Sequence, residues 1–88
     1  MGTIISRQEL TTLRKRLRTE GKKVVFSNGV FDLLHRGHVE YLNKAKSLGD
    51  VLIVGVNSDE SVRRIKDDNR PVVSQDDRAF LVSNIASV

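Results

Sequence analysis

Residues 24–38 read VVFSNGVFDLLHRGH, and this stretch decides the fold. Residues 24–26 are a short run of β-branched and aromatic side chains, the composition of a buried strand. Ser27, Asn28 and Gly29 then supply a turn signal. Beyond the turn, Asp32, His35, Gly37 and His38 fall within seven residues. Val39, Leu42 and Ala45 follow at three-residue steps, as on one face of a helix. The spacing places a polar cluster between the carboxyl end of a strand and the start of a helix. Parallel α/β sheets bind their ligands there, and the unpaired N–H groups of a helix start suit phosphate.

The flanks extend this unit. Ser6-Arg7-Gln8-Glu9 has the form of a capping box. Leu10, Leu13 and Leu17 repeat on one face until Gly21, which predicts an amphipathic helix over about residues 7–19. The first strand is expected over 23–28 and the motif helix over about 37–48, with Gly49 as its stop. Residues 51–56, VLIVGV, read as a second strand, apolar throughout as parallel strands are. Asn57-Ser58-Asp59 closes that strand and caps a short helix carrying Val62 and Ile65. A polar loop over 66–73 holds the only proline, Pro71, and Ser74 with Asp77 opens a last helix through Ala79, Leu81, Val82 and Ile85. The expected order is α-β-α-β-α-loop-α, an α/β architecture built on a parallel, right-handed βαβ unit.

Two strands are few for a parallel sheet, which needs cover on both faces and further strands. The expectation is therefore an incomplete nucleotide-binding domain, the N-terminal part of a longer one, with 1–22 as a leading helix and 23–88 as the domain proper. A homo-oligomer is the other way to cover the apolar surface that missing strands would leave.

Composition narrows the class. The chain has 88 residues, 39% hydrophobic and 30% charged, as in a soluble globular protein. It has no cysteine, which fits a reducing cytoplasm and rules out disulfides and thiolate metal sites. No apolar run approaches the roughly 20 residues of a membrane span. The net charge is +4, but residues 1–23 carry seven basic and two acidic side chains, whereas 24–88 carry eight basic and nine acidic ones. The excess belongs to one helix and reads as a solvated face, so neither nucleic acid nor a membrane is the expected partner.

Three chemistries suit Asp32, His35 and His38. In the first, two imidazoles and a helix start grip nucleotide phosphates, Gly37 leaves room between them, and Gly29 lets the backbone approach. Transfer of a nucleotidyl group needs mainly orientation and charge neutralisation. In the second, the three side chains form a two-His, one-carboxylate metal site. In the third they are structural. Lys66, Arg70 and Arg78 are candidate phosphate partners by charge and position. Phe31 is expected to face the core. No G-x-G-x-x-G and no Walker lysine motif is present.

Gly29-Val30-Phe31-Asp32-Leu33-Leu34-His35-Arg36-Gly37-His38 resembles the G-x-F-D-x-x-H-x-G-H motif of the cytidylyltransferase-like nucleotidyltransferases. Tyr41-Leu42, Lys44-Ala45-Lys46, Leu48-Gly49-Asp50, the run from Val54 to Asp59, Arg64-Ile65-Lys66 and Arg70-Pro71-Val72 are similar to the adenylyltransferases of ADP-heptose synthesis. The resemblance implies a Rossmann-like nucleotidyltransferase fold of the H-I-G-H superfamily. It implies transfer of AMP from ATP to D-glycero-β-D-manno-heptose 1-phosphate, giving ADP-heptose and pyrophosphate, with Mg²⁺ accompanying ATP. Transfer from CTP to glycerol 3-phosphate and a non-catalytic nucleotide-binding module are the alternatives. The resemblance further implies catalytic roles for His35, His38 and Lys66. It implies nucleotide or phosphate contacts for Asn28, Gly29, Val30, Phe31, Asp32, Gly37 and Arg78, and no protein-held metal. Two departures stand out: Asp67 replaces the usual glycine after the lysine, and Val30 a frequent cysteine. With the family's later strands missing, the chain alone is expected to turn over weakly or not at all.

Overall fold

The computed structural model describes residues 1–88. Six elements follow in order: α1 (Arg7–Thr19), β1 (Val24–Gly29), α2 (Arg36–Lys46), β2 (Val51–Val56), α3 (Asp59–Ile65) and α4 (Gln75–Ser83). β1 and β2 pair in parallel, from Val24 opposite Val51 to Gly29 opposite Val56. They form a sheet of two strands, so the α/β architecture with a parallel βαβ pair expected from the pattern is the one found.

α1 begins and ends on local chemistry. The Ser6 hydroxyl accepts the Glu9 amide and the Glu9 carboxylate accepts the Ser6 amide, closing the capping box. At the other end Gly21 takes a left-handed φ of 70°, and the amides of Lys22 and Gly21 donate to the carbonyls of Leu17 and Arg18. That is a Schellman closure, which needs a residue without a Cβ penalty at this position. Leu17 is buried, Leu10 and Leu13 are half-buried, and the basic side chains of the helix are exposed. The positive charge is thus a solvated face over a leucine stripe. No helix is long and apolar enough to cross a membrane.

Gly49 does something other than the stop expected of it. α2 ends with Ser47 as its cap, and no left-handed residue follows. A Cβ at Gly49 would lie 2.8 Å from the Lys23 carbonyl oxygen and 2.8 Å from Val25 Cγ2. The glycine therefore lets the two strands start side by side. The Asp50 amide donates to the Lys23 carbonyl and the Lys23 amide to the Asp50 carboxylate, both at 2.7 Å. α4 also ends earlier than the apolar pattern suggests, at Ser83, two residues before Ile85.

The core is thin. Phe31, Leu42, Leu52 and Val82 form its buried cluster, with Val25, Ala45, Val54, Val56 and Ile85 packed around them. Since Val25 pairs with Leu52, these positions lie on one face of the sheet, covered by α2 and α4. On the other face Phe26 is 59% exposed. Only eight of the 88 residues are buried, so few contacts hold the fold and each of them weighs heavily.

Candidate active site

The site is built where β1 ends. A Cβ at Gly29 would stand 3.1 Å from the Phe31 ring, so the glycine admits that ring as the chain turns inward. Phe31 takes a φ of 54° and Leu33 a φ of 58°. Left-handed backbone is strained for such residues and persists only where the surroundings fix it. What fixes it is visible. The Phe31 ring is sunk in the core, 4% exposed, and Asp32, between the two, is tied across the molecule.

The Asp32 carboxylate accepts the amides of Val72 and Val73, each at 2.9 Å, and one guanidinium N–H of Arg70 at 3.2 Å. Its side chain is 4% exposed. The Val72 amide, with help from Val73 and Arg70 and against the effect of burial, holds this carboxyl below its ordinary pKa of 3.8. Asp32 thereby joins the loop that carries the histidines to the loop that carries Lys66 and Arg70. It orients the motif by holding a loop 40 residues away.

The histidines are organised by the first turn of α2. His35 is its N-cap in extended conformation. His35 Nδ1 accepts the Gly37 amide at 3.0 Å, and His38 Nδ1 accepts the His35 amide at 3.1 Å. This is a capping box made of two imidazoles, with centroids 4.1 Å apart. Both Nδ1 atoms are acceptors, so in each neutral ring the proton sits on Nε2. Each ring thus keeps one N–H donor for a ligand. Burial, and secondarily the neighbouring His35, pushes the His38 pKa below its ordinary 6.5. His38 is therefore neutral in neutral solution.

Gly37 has a structural duty as well. A Cβ there would lie 2.8 Å from His35 Cε1 and 3.0 Å from Nδ1. The missing side chain accommodates the imidazole in its capping position, whatever room it also leaves for a phosphate.

A cleft of about 530 Å³ opens beside this turn. Asn28, Gly29, Val30 and Phe31 line one side, with Asp32 and His38, and Lys66, Asp67 and Arg70 line the other. Seven of the ten expected site residues thus meet in one cavity. His35 and Gly37 do not line it; they sit in the α2 cap, with the His35 ring centroid 4.1 Å from that of His38. Lys66 is the C-cap of α3 and exposed. The carboxylate of Asp67, the departure beside it, is used within its own turn, where it accepts the Asn69 amide at 2.8 Å.

Arg78 corrects an expectation. It does not reach the cleft and is fully buried. Its guanidinium donates to the carbonyls of Val30 at 2.6 Å and Val73 at 2.9 Å and to the Asp59 carboxylate at 2.8 Å. It fastens the end of β1, the start of α3 and the 70–73 loop together. The two-His, one-carboxylate arrangement, the second of the three readings of Asp32, His35 and His38, is not formed. Asp32 faces the opposite loop, both Nδ1 atoms are engaged by backbone, and no three His, Asp or Glu side chains gather at ligating distance.

Two relations were not foreseen. Tyr41 lines the cleft, its hydroxyl accepting from the buried Ser27 Oγ at 3.2 Å. Its signal was its place three residues after His38, on the same face of α2. Nothing in the local sequence couples Asp32 to Arg70.

Comparison with known proteins places this geometry. A family model described as cytidylyltransferase-like matches residues 26–88. The bifunctional protein HldE of Wolinella succinogenes is 54% identical over 85 residues, 97% of this chain and 18% of the relative. HldE of Helicobacter pylori strain P12 is 57% identical over 81 residues, 91% of this chain and again 18% of the relative. The chain thus spans 18% of the length of these relatives. A crystal structure of a lipopolysaccharide core biosynthesis protein from Thermoplasma volcanium superposes with a TM-score of 0.73 at 38% identity, covering 77% of this chain and 54% of that one.

Proposed function

Because the chain belongs to the cytidylyltransferase-like family of nucleotidyltransferases, we propose that its cleft binds a nucleoside triphosphate and supports transfer of the nucleotidyl group to a sugar phosphate. The similarity to HldE, and to a lipopolysaccharide core biosynthesis protein, supports ATP and D-glycero-β-D-manno-heptose 1-phosphate as the pair. The products would be ADP-heptose and pyrophosphate.

One observation carries this reading. The two motif imidazoles spend their Nδ1 atoms on the α2 cap and leave Nε2–H without a protein partner, His38 doing so in the lining of the cleft. In the reaction an already ionised phosphate oxygen of the sugar phosphate attacks the α-phosphorus. The new P–O bond forms as the bond to the bridging oxygen breaks, and the electron pair leaves with pyrophosphate. No proton has to be removed from the nucleophile. The protein's work is to align the groups and to donate hydrogen bonds to phosphate oxygens as charge shifts among them. His35 and His38 do so through Nε2–H, and Lys66 supplies a positive charge in the cleft.

Mg²⁺ enters this scheme with ATP. Asp32 is a poor ligand for it, its oxygens already taken by three donors, so the ion would be carried chiefly by the phosphates.

The test is direct. ATP binding by titration calorimetry and pyrophosphate release are measured with heptose 1-phosphate, and with CTP and glycerol 3-phosphate as the competing pair. ATP binding weakened by His38→Asn is the expected result for this chain, with release on the heptose substrate once the sequence is carried in a longer chain that has the family's later strands. Absence of nucleotide binding and of release with every pair would overturn the proposal.

A further inference from the structure

The two arginines of the last third of the chain differ in kind. Arg78 has no exposure, and three of its donors are committed to protein acceptors. Arg70 lines the same cleft as Lys66 and His38. Its side chain is 41% exposed, and its guanidinium makes a single bond, to Asp32 Oδ2. That bond measures 3.2 Å, longer than the roughly 2.7–2.9 Å of a strong charge-assisted pair. A guanidinium offers five donors in a planar fork, so most of this one's capacity is unspent.

Losing Arg70 would not strand Asp32. Its carboxylate keeps the Val72 amide on Oδ2 and the Val73 amide on Oδ1, both at 2.9 Å. The backbone of Arg70 is held separately, its amide donating to the Asp67 carbonyl at 3.1 Å. The side chain can therefore leave while the loop that carries it stays in place.

We propose that Arg70 is a phosphate-binding residue of the cleft, parked on Asp32 in the ligand-free protein and released to the polyphosphate of the bound nucleotide. The exchange replaces one long, monodentate carboxylate contact by a bidentate one to phosphate oxygens, the pairing that guanidinium geometry favours. It also keeps the cation beside a carboxylate, and so partly neutralised, until an anion arrives. The inference rests on the cleft being a nucleotide site, but it does not depend on the base or on the sugar.

The experiment uses AMP, ADP, ATP and inorganic tripolyphosphate as probes, with wild type, Arg70→Met and Arg70→Lys compared by titration calorimetry. The folded state of each variant is confirmed by circular dichroism. In Arg70→Met, affinity for ATP and tripolyphosphate should fall about 10- to 100-fold while AMP affinity changes less than about twofold, so the gain from each added phosphate shrinks. Arg70→Lys should recover part of the loss, because it restores charge without the fork. In wild type the Arg70 Nε–H resonance should shift on addition of tripolyphosphate. Equal weakening of all four probes, or none, would overturn the inference and leave the nucleotide site standing. A wild-type chain that binds none of them would overturn both.

Discussion

His35 and His38 cap the same helix from opposite sides: the amide of His35 donates to the imidazole of His38 at 3.1 Å, while the ring of His35 takes the Gly37 amide at 3.0 Å. A cap wants an acceptor and a phosphate wants a donor. An imidazole is one side chain that presents both at once, on different nitrogens. The two duties can be separated by substitution. Asparagine is among the best N-cap residues, but its amide cannot also reach where Nε2 stands. His35→Asn should therefore melt within about 1 kcal/mol of wild type and bind ATP about tenfold more weakly. His35→Ala should lose the affinity and also about 1 kcal/mol of stability. Chemical denaturation and calorimetry on the pair distinguish the roles.

Gly37→Ala should change function more than stability. Alanine replaces glycine in the first turn of α2, a gain of up to about 1 kcal/mol in helix propensity. The new Cβ would meet the His35 ring at 2.8 Å, so the ring must turn out of its cap, a loss of similar size. Thermal melts should coincide within a few degrees. ATP affinity should fall several-fold because His35 has moved.

Acid should weaken the fold in two stages. The His38 pKa is lowered in the folded protein from 6.5, chiefly by burial. The folded state resists that proton, so stability is full above about pH 6.5 and declines as pH drops from there through the lowered value. The Asp32 carboxyl is lowered from 3.8, first by the Val72 amide. Its contribution is present above that value and is lost as pH falls through the lower, folded one. Urea denaturation across pH 3–8 should show both stages. His38→Asn should remove the upper stage and Asp32→Asn the lower.

Arg78→Lys should unfold the protein or nearly so. Lysine carries charge but not the fork that serves Val30, Val73 and Asp59 together. Leaving buried acceptors unpaired costs about 1–3 kcal/mol each, in a fold with few buried residues to spare. Far-UV circular dichroism at 25 °C decides it. A melt unchanged from wild type would refute the clamp assigned to Arg78.

How far these features were legible in the sequence varies with the range of their contacts. The capping box at Ser6 and Glu9 and the strand over 51–56 could be read directly, because their signals lie within a few residues. The cleft could be read in outline, since a motif at a strand end carries most of its own residues. Arg78 could not be read as a clamp. Its three partners lie 5, 19 and 48 residues away, and a basic residue in a first turn ordinarily meets solvent. The tie made by Asp32 could not be read for the same reason, its acceptor sites being filled from residues 70–73. Gly49 was misread because a glycine after a helix signals a left-handed stop as readily as a close approach of backbones, and only the contact with Lys23 separates the two.

Leu33 holds a backbone angle of 58° with its side chain 52% in solvent, and this combination makes it a place to engineer a sturdier protein. Little packing is at stake there, while a left-handed residue with a branched side chain stores strain of about 1 kcal/mol. Asparagine tolerates that conformation. Leu33→Asn should thus raise the melting temperature by a few degrees, and a scaffold so relaxed would tolerate more of the harmful substitutions that any mapping of its cleft requires.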